Sequence, residues 1–121
     1  MKIKQILVAF LFATLVISCG NKAKDIDVKE LKTECEAVDA VMIVADEMLE
    51  LVEAVDSEEG ASEEQKKEYK LLGEKHQEIE DYLTERVRES DFNDNAFEKC
   101  PKYETVRSKM KKAKKSRNIF D

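Results

Sequence analysis

Tryptophan is absent from this chain, and it has only one proline and three glycines among its 121 residues. Proline and glycine interrupt regular secondary structure, so their scarcity leaves room for long uninterrupted elements. Glutamate, lysine, leucine and alanine are abundant instead. This composition is typical of long helices.

Motifs of known enzyme classes are also missing. The sequence contains no G-x-S-x-G, no glycine-rich phosphate loop, no HExxH and no C-x-x-C. Carboxylates are plentiful, but a carboxylate pair indicates catalysis only in a cleft that shifts its pKa. We therefore expect a protein that is not an enzyme and that holds no cofactor and no metal.

Charge is distributed unevenly along the chain, whose net charge is −6. Residues 25–64 contain 15 acidic and 2 basic residues, whereas residues 95–121 contain 3 acidic and 9 basic residues. The acidic balance argues against a nucleic-acid partner, because nucleic acids are themselves polyanions. Either the basic end folds against the acidic first helix, or it contacts anionic lipid or lipopolysaccharide; we favour the first interpretation.

The N-terminus has the layout of a secretory signal. Lys2 and Lys4 precede an apolar run over residues 6–17, which only Thr14 interrupts. This run of 12 residues is long enough for a signal peptide but shorter than the roughly 20 residues that a transmembrane helix needs. We expect a signal helix that is removed from the mature protein.

The apolar run ends in Val16-Ile17-Ser18-Cys19, which resembles the lipobox of a bacterial lipoprotein precursor. This resemblance covers the first 20 or so residues. It implies cleavage between Ser18 and Cys19 and attachment of diacylglycerol to the Cys19 thiol, with a further acyl chain such as palmitate on the new amine. The alternative is a membrane-buried cysteine in an ordinary signal anchor.

The lipoprotein resemblance also implies a subcellular location. In such families an aspartate after the cysteine favours retention in the inner membrane, and this chain has Gly20 there. We therefore expect a cell-envelope protein held by acylated Cys19 in the bilayer of the outer membrane, facing the periplasm or the cell exterior. The predicted organisation is a signal peptide over residues 1–18, a tether over 19–24, a helical domain over 25–115 and a basic, frayed C-terminus over 116–121.

Apolar periodicity predicts an all-α fold, a long antiparallel helical hairpin with a third, shorter helix. The first helix is predicted from Asp25 to about Asp56. Its apolar seam has alternating spacings of three and four residues, over Val28, Leu31, Cys35, Val38, Met42, Ala45, Leu49 and Val52, with a second apolar set beside it over Val41, Val44, Met48, Leu51 and Val55.

The remaining helix boundaries follow from local signals. Ser62 and Gln65 form a capping-box pattern, which predicts a second helix from there to about Glu89. Pro101 suits the first turn of a third helix ending near Lys115. Phe92 and Phe97 are predicted to fold back over the open end of the hairpin, and Ile119 and Phe120 could pin the C-terminus.

Two cysteines remain once Cys19 carries lipid. Cys35 lies near the open end of the predicted hairpin, and Cys100 lies just before the third helix, which begins near that same end. In an oxidising compartment such a pair forms a disulfide. We predict a Cys35–Cys100 bond; two buried free thiols are the alternative.

His76 is the single histidine and falls on the predicted apolar stripe of the second helix, which consists of Tyr69, Leu72, His76, Ile79, Leu83 and Val87. We interpret it as a core residue that is hydrogen-bonded through one ring nitrogen, rather than as a metal ligand. The other candidate site is the broad apolar patch of the first helix, Val41, Met42, Ile43 and Val44. Either the third helix covers this patch, or it is an interface for a protein partner or a homo-oligomer.

These features leave two functions open. The first is a non-enzymatic envelope interaction or scaffold protein that uses its helix faces. The alternative is a small ligand- or metal-binding periplasmic module centred on His76 and the acidic first helix.

Overall fold

The computed structural model describes residues 22–55 and 58–121, in which all regular secondary structure is helical and no β-strand occurs. The predicted all-α class is therefore confirmed there. The predicted signal helix, Ser18 and Cys19 lie outside the described residues. Three α-helices form the body of the fold: α1 Glu34–Ala54, α2 Glu63–Arg88 and α3 Tyr103–Lys115. Short 3-10 turns flank them at Ala23–Asp25, Val28–Glu30, Asp94–Lys99 and Arg117–Phe120.

Helix α1 begins nine residues later than predicted, at Glu34 instead of Asp25. A reciprocal capping box sets this start: the Glu36 amide donates to Thr33 Oγ1 at 3.1 Å, and the Thr33 amide donates to Glu36 Oε1 at 3.0 Å. Such a cap satisfies two amide groups that no helical carbonyl can reach. Asp25 instead ends a 3-10 turn.

The segment before α1 runs back along the hairpin. Tyr82 Oη donates to the Leu31 carbonyl at 3.2 Å, and Lys75 Nζ donates to the Ile26 carbonyl at 2.9 Å. Further along, the amide of the fully buried Ala23 donates to a Glu47 carboxylate oxygen. The residues predicted as a tether and first helical turns are thus a strap bound to α1 and α2, which we call the N-terminal strap (residues 22–31).

Helix α2 agrees with the prediction and runs antiparallel to α1. The Gln65 amide donates to Ser62 Oγ at 3.1 Å, and the Ser62 amide donates to Gln65 Oε1 at 2.8 Å, so the predicted capping box is present. Gln65 Nε2 also donates to the carbonyl of Ala54 at the end of α1. This bond ties the two helices together beside their connecting loop.

Helix α3 ends at Lys115 as predicted, while Pro101 lies in the turn before it rather than in its first turn. Two ion pairs give its direction: Lys102 Nζ lies 3.7 Å from Asp39 Oδ1, and Lys109 Nζ lies 2.6 Å from Asp46 Oδ1. The numbers rise together on both helices, so α3 is parallel to α1. The predicted packing of the basic end against the acidic first helix is therefore present.

The core is centred on α1, which packs against both other helices. Its buried face is displaced from the predicted seam, because Met42, Leu49 and Val52 are only half-buried. A helix that packs against two other helices and a strap buries a broad arc of its surface. The centre of that arc lies between the two neighbouring helices rather than along one heptad seam. The buried residues of α1 are Ala37, Val38, Ala40, Val41, Val44, Ala45, Met48 and Leu51.

The C-terminus is ordered, so the predicted frayed end over residues 116–121 is wrong. After α3 the chain forms the Arg117–Phe120 turn, and the Phe120 side chain is buried. Its ring stacks on that of Tyr69, which burial of two aromatic faces favours. Phe120 therefore pins the terminus, while Ile119 stays 39% exposed.

Aromatic side chains close the other end of the bundle, as predicted. Phe92 is buried and meets the rings of Tyr82 and Phe97 edge to face, at centroid distances of 6.4 and 6.1 Å. The Asn93 amide donates to Glu34 Oε2 at 2.8 Å, which fixes the connection to the first turn of α1. This hydrogen bond, together with one from the backbone of Glu34 itself, lowers the pKa of the Glu34 carboxyl group.

Candidate functional site

The predicted disulfide is present and joins the first turn of α1 to the residue that follows the Asp94–Lys99 turn, shortly before α3. The sulfur atoms of Cys35 and Cys100 lie 2.13 Å apart, and the Cα atoms are 5.3 Å apart. The bond spans 65 residues of sequence and encloses the whole of α2. Its neighbour is the Lys102–Asp39 ion pair, so covalent and electrostatic links both hold the start of α3 against α1.

A groove of about 1130 Å³ lies between α2 and α3. It exists because each of these helices packs on α1 much more than on the other. Ala37, Val38 and Val41 of α1 form its apolar floor. The Asp94–Lys99 turn closes one end of the groove with Phe97. The walls combine apolar and charged side chains from both flanking helices: His76, Glu80, Leu83, Val87, Tyr103, Val106, Arg107, Met110 and Lys114.

His76 lies in the α2 wall of this groove with its side chain only 12% exposed. Its Nε2 atom is 3.2 Å from Glu80 Oε1, one helical turn further along. The hydrogen bond from His76 lowers the pKa of Glu80 against the opposing effect of burial, and the positive charges of His76 and Lys114 lower it further. One ring nitrogen is therefore hydrogen-bonded within the helix, as interpreted, but the side chain lines the groove and does not belong to the buried core.

The described residues hold no group of three or more His, Cys, Asp or Glu side chains that could bind a metal ion. His76 is accompanied by one close carboxylate, that of Glu80. Stable zinc sites in proteins use three or four protein ligands. The pair by itself therefore gives no basis for a structural zinc site.

The predicted interaction patch on α1 is not an exposed surface. Val41 is 8% exposed and Val44 is fully buried, while Met42 and Ile43 are half-buried against the core. The physical reason is the parallel packing of α3 on α1, which covers the arc that α2 leaves open. In the structure α3 thus packs over this patch and leaves Met42 and Ile43 partly exposed.

Exposed apolar side chains lie elsewhere. Among the described residues, the large hydrophobic side chains that stay exposed are Leu71, at 57%, and Ile119, at 39%. Sequence reasoning missed Leu71 because it adjoins Leu72, which belongs to the apolar stripe. One leucine beside an apolar stripe is a weak signal, and it becomes informative only through its place in the fold.

No helix in the described ranges is both long enough and apolar enough to cross a membrane. Comparisons with protein-family models, curated proteins and solved structures find no match to this chain.

Proposed function

We propose that this chain is a lipid-anchored protein of the bacterial cell envelope that acts without catalysis, by binding a protein partner through its helical domain. The observation that carries the proposal is Cys19 at the end of a positively started apolar run of 12 residues. The lipid anchor would be attached four residues before Ala23, which is fully buried in the domain.

The disulfide supports an envelope location. Disulfides persist in oxidising compartments and are rare in the cytosol, where thiols are kept reduced. The Cα atoms of Cys35 and Cys100 lie 5.3 Å apart, within the usual range for this bond. An exported domain of this size gains much from such a link, since its hydrophobic core is small.

The groove between α2 and α3 supports an interaction role. Its floor is apolar, and its rim carries charges of both signs from Glu80, Arg107 and Lys114. An apolar centre with a polar rim is the general anatomy of a protein interface. A partner helix in this groove would complete a four-helix arrangement around α1, which is the helix-in-groove mode of recognition.

Acylation is tested by metabolic labelling with an alkyne analogue of palmitate. We expect labelling of the wild type and loss of labelling in Cys19→Ala. The matched control is Cys35→Ala/Cys100→Ala, which removes two cysteines but retains the acylation site and should be labelled like the wild type. Equal labelling of the wild type and Cys19→Ala would refute the anchor.

Partner binding is tested in intact cells with a photo-crosslinking amino acid at Arg107, which lines the groove. The control position is Glu50, which is exposed on α1 outside the groove. We expect one adduct of defined mass from position 107 and none from position 50. Identical patterns from the two positions, or no adduct from either, would contradict a partner in the groove.

A small ligand in the same groove is the second candidate, and the position of His76 beside Glu80 in the groove wall is the observation that favours it. Titration with Zn²⁺, followed by the ring-proton resonances of His76, tests the metal-binding form of this function. Saturable shifts that disappear in Glu80→Gln would support it, and unchanged resonances would exclude it.

A further inference from the structure

Leu71 is the most exposed large apolar side chain in the described part of the chain, at 57%. A solitary exposed leucine needs no explanation in itself. Its position relative to the N-terminal strap is informative, because that strap leads directly to the predicted lipid anchor.

The strap passes along the same side of α2 as Leu71. It meets Tyr82 at Leu31 and then Lys75 at Ile26, so it runs towards the start of α2. Leu71 lies one turn before Lys75, about 6 Å along the helix axis and on the same face. Continuing in this direction, the strap brings Ala23 to the level of Leu71.

The covalent distance to the anchor is short. Cys19 precedes Ala23 by four residues, and four residues span at most about 14 Å. Ala23 itself is fixed, because it is fully buried and its amide donates to Glu47. Lipid on Cys19 would therefore hold the Leu71 side of the domain close to the bilayer surface.

Two lysines lie beside this leucine on α2. Lys67 lies one turn before Leu71, and Lys70 lies directly before it. Both lysines are exposed, and neither forms an ion pair with any residue that the structure describes. Arg117 lines a shallow depression with these two lysines, but Glu63 and Asp121 line it too and Leu71 does not, so Arg117 lies beside this face rather than on it. Each basic residue near an anionic leaflet contributes about 1 kcal/mol of attraction.

Two exposed carboxylates, Glu68 and Glu74, also lie on this part of α2. They reduce the positive charge of the face, so it would bind lipid weakly as a free protein. A covalent anchor removes that difficulty, because it raises the local concentration of headgroups without any new contact.

We infer that the anchor-side face, defined by Lys67, Lys70 and Leu71, rests on the phospholipid bilayer: Leu71 enters the interfacial region and the two lysines meet lipid phosphates. This inference rests on the proposed acylation of Cys19. It gives the domain a fixed orientation, with the groove between α2 and α3 turned away from the membrane and open to a partner.

The experiment uses the full mature, acylated protein with its disulfide oxidised, reconstituted in vesicles of phosphatidylethanolamine and phosphatidylglycerol. An environment-sensitive dye is placed on Leu71→Cys or, as the matched control, on Ser108→Cys, an exposed position that lines the groove. Headgroup-region doxyl lipids should quench position 71 several-fold more than position 108. Equal quenching at the two positions would overturn the inference.

Charge reversal tests the role of the cations independently of the dye site. Lys67→Glu/Lys70→Glu in the Leu71→Cys background should reduce quenching several-fold in the anionic vesicles. It should have little effect in vesicles of phosphatidylcholine alone. Unchanged quenching in the anionic vesicles would overturn the assignment of these lysines to lipid phosphates.

Failure of the anchor and failure of this orientation are distinguishable. An intact mass without acyl chains on Cys19 would overturn the proposed anchor, and this inference with it. An acylated protein that is quenched equally at positions 71 and 108 would overturn the orientation alone.

Discussion

The ring of Phe120 stacks on the ring of Tyr69 with centroids 4.2 Å apart and planes inclined by 6°. Tyr69 Oη also donates a hydrogen bond to the carbonyl of Ala113 at 3.0 Å. One tyrosine of α2 therefore holds both the end of α3 and the C-terminal turn, and partial burial raises its pKa. This is the main link between α2 and α3 at the end of the bundle opposite the disulfide.

Removal of the Phe120 ring should destabilise the fold. We expect Phe120→Ala to lower the free energy of unfolding by about 3 kcal/mol, because a buried phenyl ring is lost and the Tyr69 face becomes exposed. Urea denaturation followed by circular dichroism measures the change. Ile119→Ala is the matched control at the neighbouring, exposed position and should shift stability by less than about 0.5 kcal/mol. Similar small effects of both variants would contradict a pinned C-terminus.

The disulfide should contribute more than any single side chain. Crosslinking this 65-residue separation restricts the unfolded chain and stabilises the fold by about 4 kcal/mol in the chain-entropy model. We expect Cys35→Ala/Cys100→Ala to lose an amount of this order in urea denaturation. Dithiothreitol should destabilise the wild type by a similar amount and leave the double variant unchanged. A double variant as stable as the oxidised wild type would refute this contribution.

Local signals predicted the helix ends where a cap occurs in the sequence and failed where a competing cap was overlooked. Ser62 and Gln65 predicted the start of α2 within one residue. Thr33 and Glu36 form the same pattern ahead of α1, yet apolar spacing extended the prediction back to Asp25. The strap carries Val28 and Leu31 because it packs on α2, so its apolar residues imitate helical periodicity without forming an α-helix.

Tertiary features were predicted where covalent geometry restricts them. Cys35 and Cys100 had one partner each once Cys19 was assigned to lipid, so the pairing followed from the topology. Leu71 lies one residue off the predicted stripe, and a single apolar residue in that position is too weak a signal to single out from sequence. The groove also depends on how far α3 stands from α2, which no local pattern encodes.

Replacement of Ser90 by glycine should stabilise the fold. It follows the end of α2 with a φ of 66°, in the left-handed region where a side chain costs free energy. We expect Ser90→Gly to raise the free energy of unfolding by about 1 kcal/mol, measured by thermal and urea denaturation. The matched control is Gly60→Ala, since Gly60 has a φ of 78° and open space around its Cβ position. It should lower stability through the backbone alone, so a destabilising Ser90→Gly or a stabilising Gly60→Ala would contradict this reasoning.

Glu80 should make stability depend on pH in the acidic range. Its hydrogen bond from His76 lowers its pKa below the ordinary value of 4.5. A carboxyl group whose pKa is lower in the folded state binds fewer protons there than in the unfolded state. Its contribution is therefore fully present above the unfolded pKa and is lost as pH falls through the folded pKa. Solvent screens this half-exposed pair, so we expect the contribution to stay under about 1 kcal/mol.

The comparison of wild type with Glu80→Gln isolates this contribution. Unfolding free energies from urea denaturation should differ most above pH 4.5, and the difference should shrink as the pH is lowered and the wild-type carboxyl group takes up its proton. Glu85→Gln is the matched control five residues further along α2, because Glu85 pairs with Arg88 and does not contact His76. A wild-type advantage over Glu80→Gln that grows towards low pH would reverse the expected sign, and it would show that the carboxyl group is held in its protonated form in the folded protein.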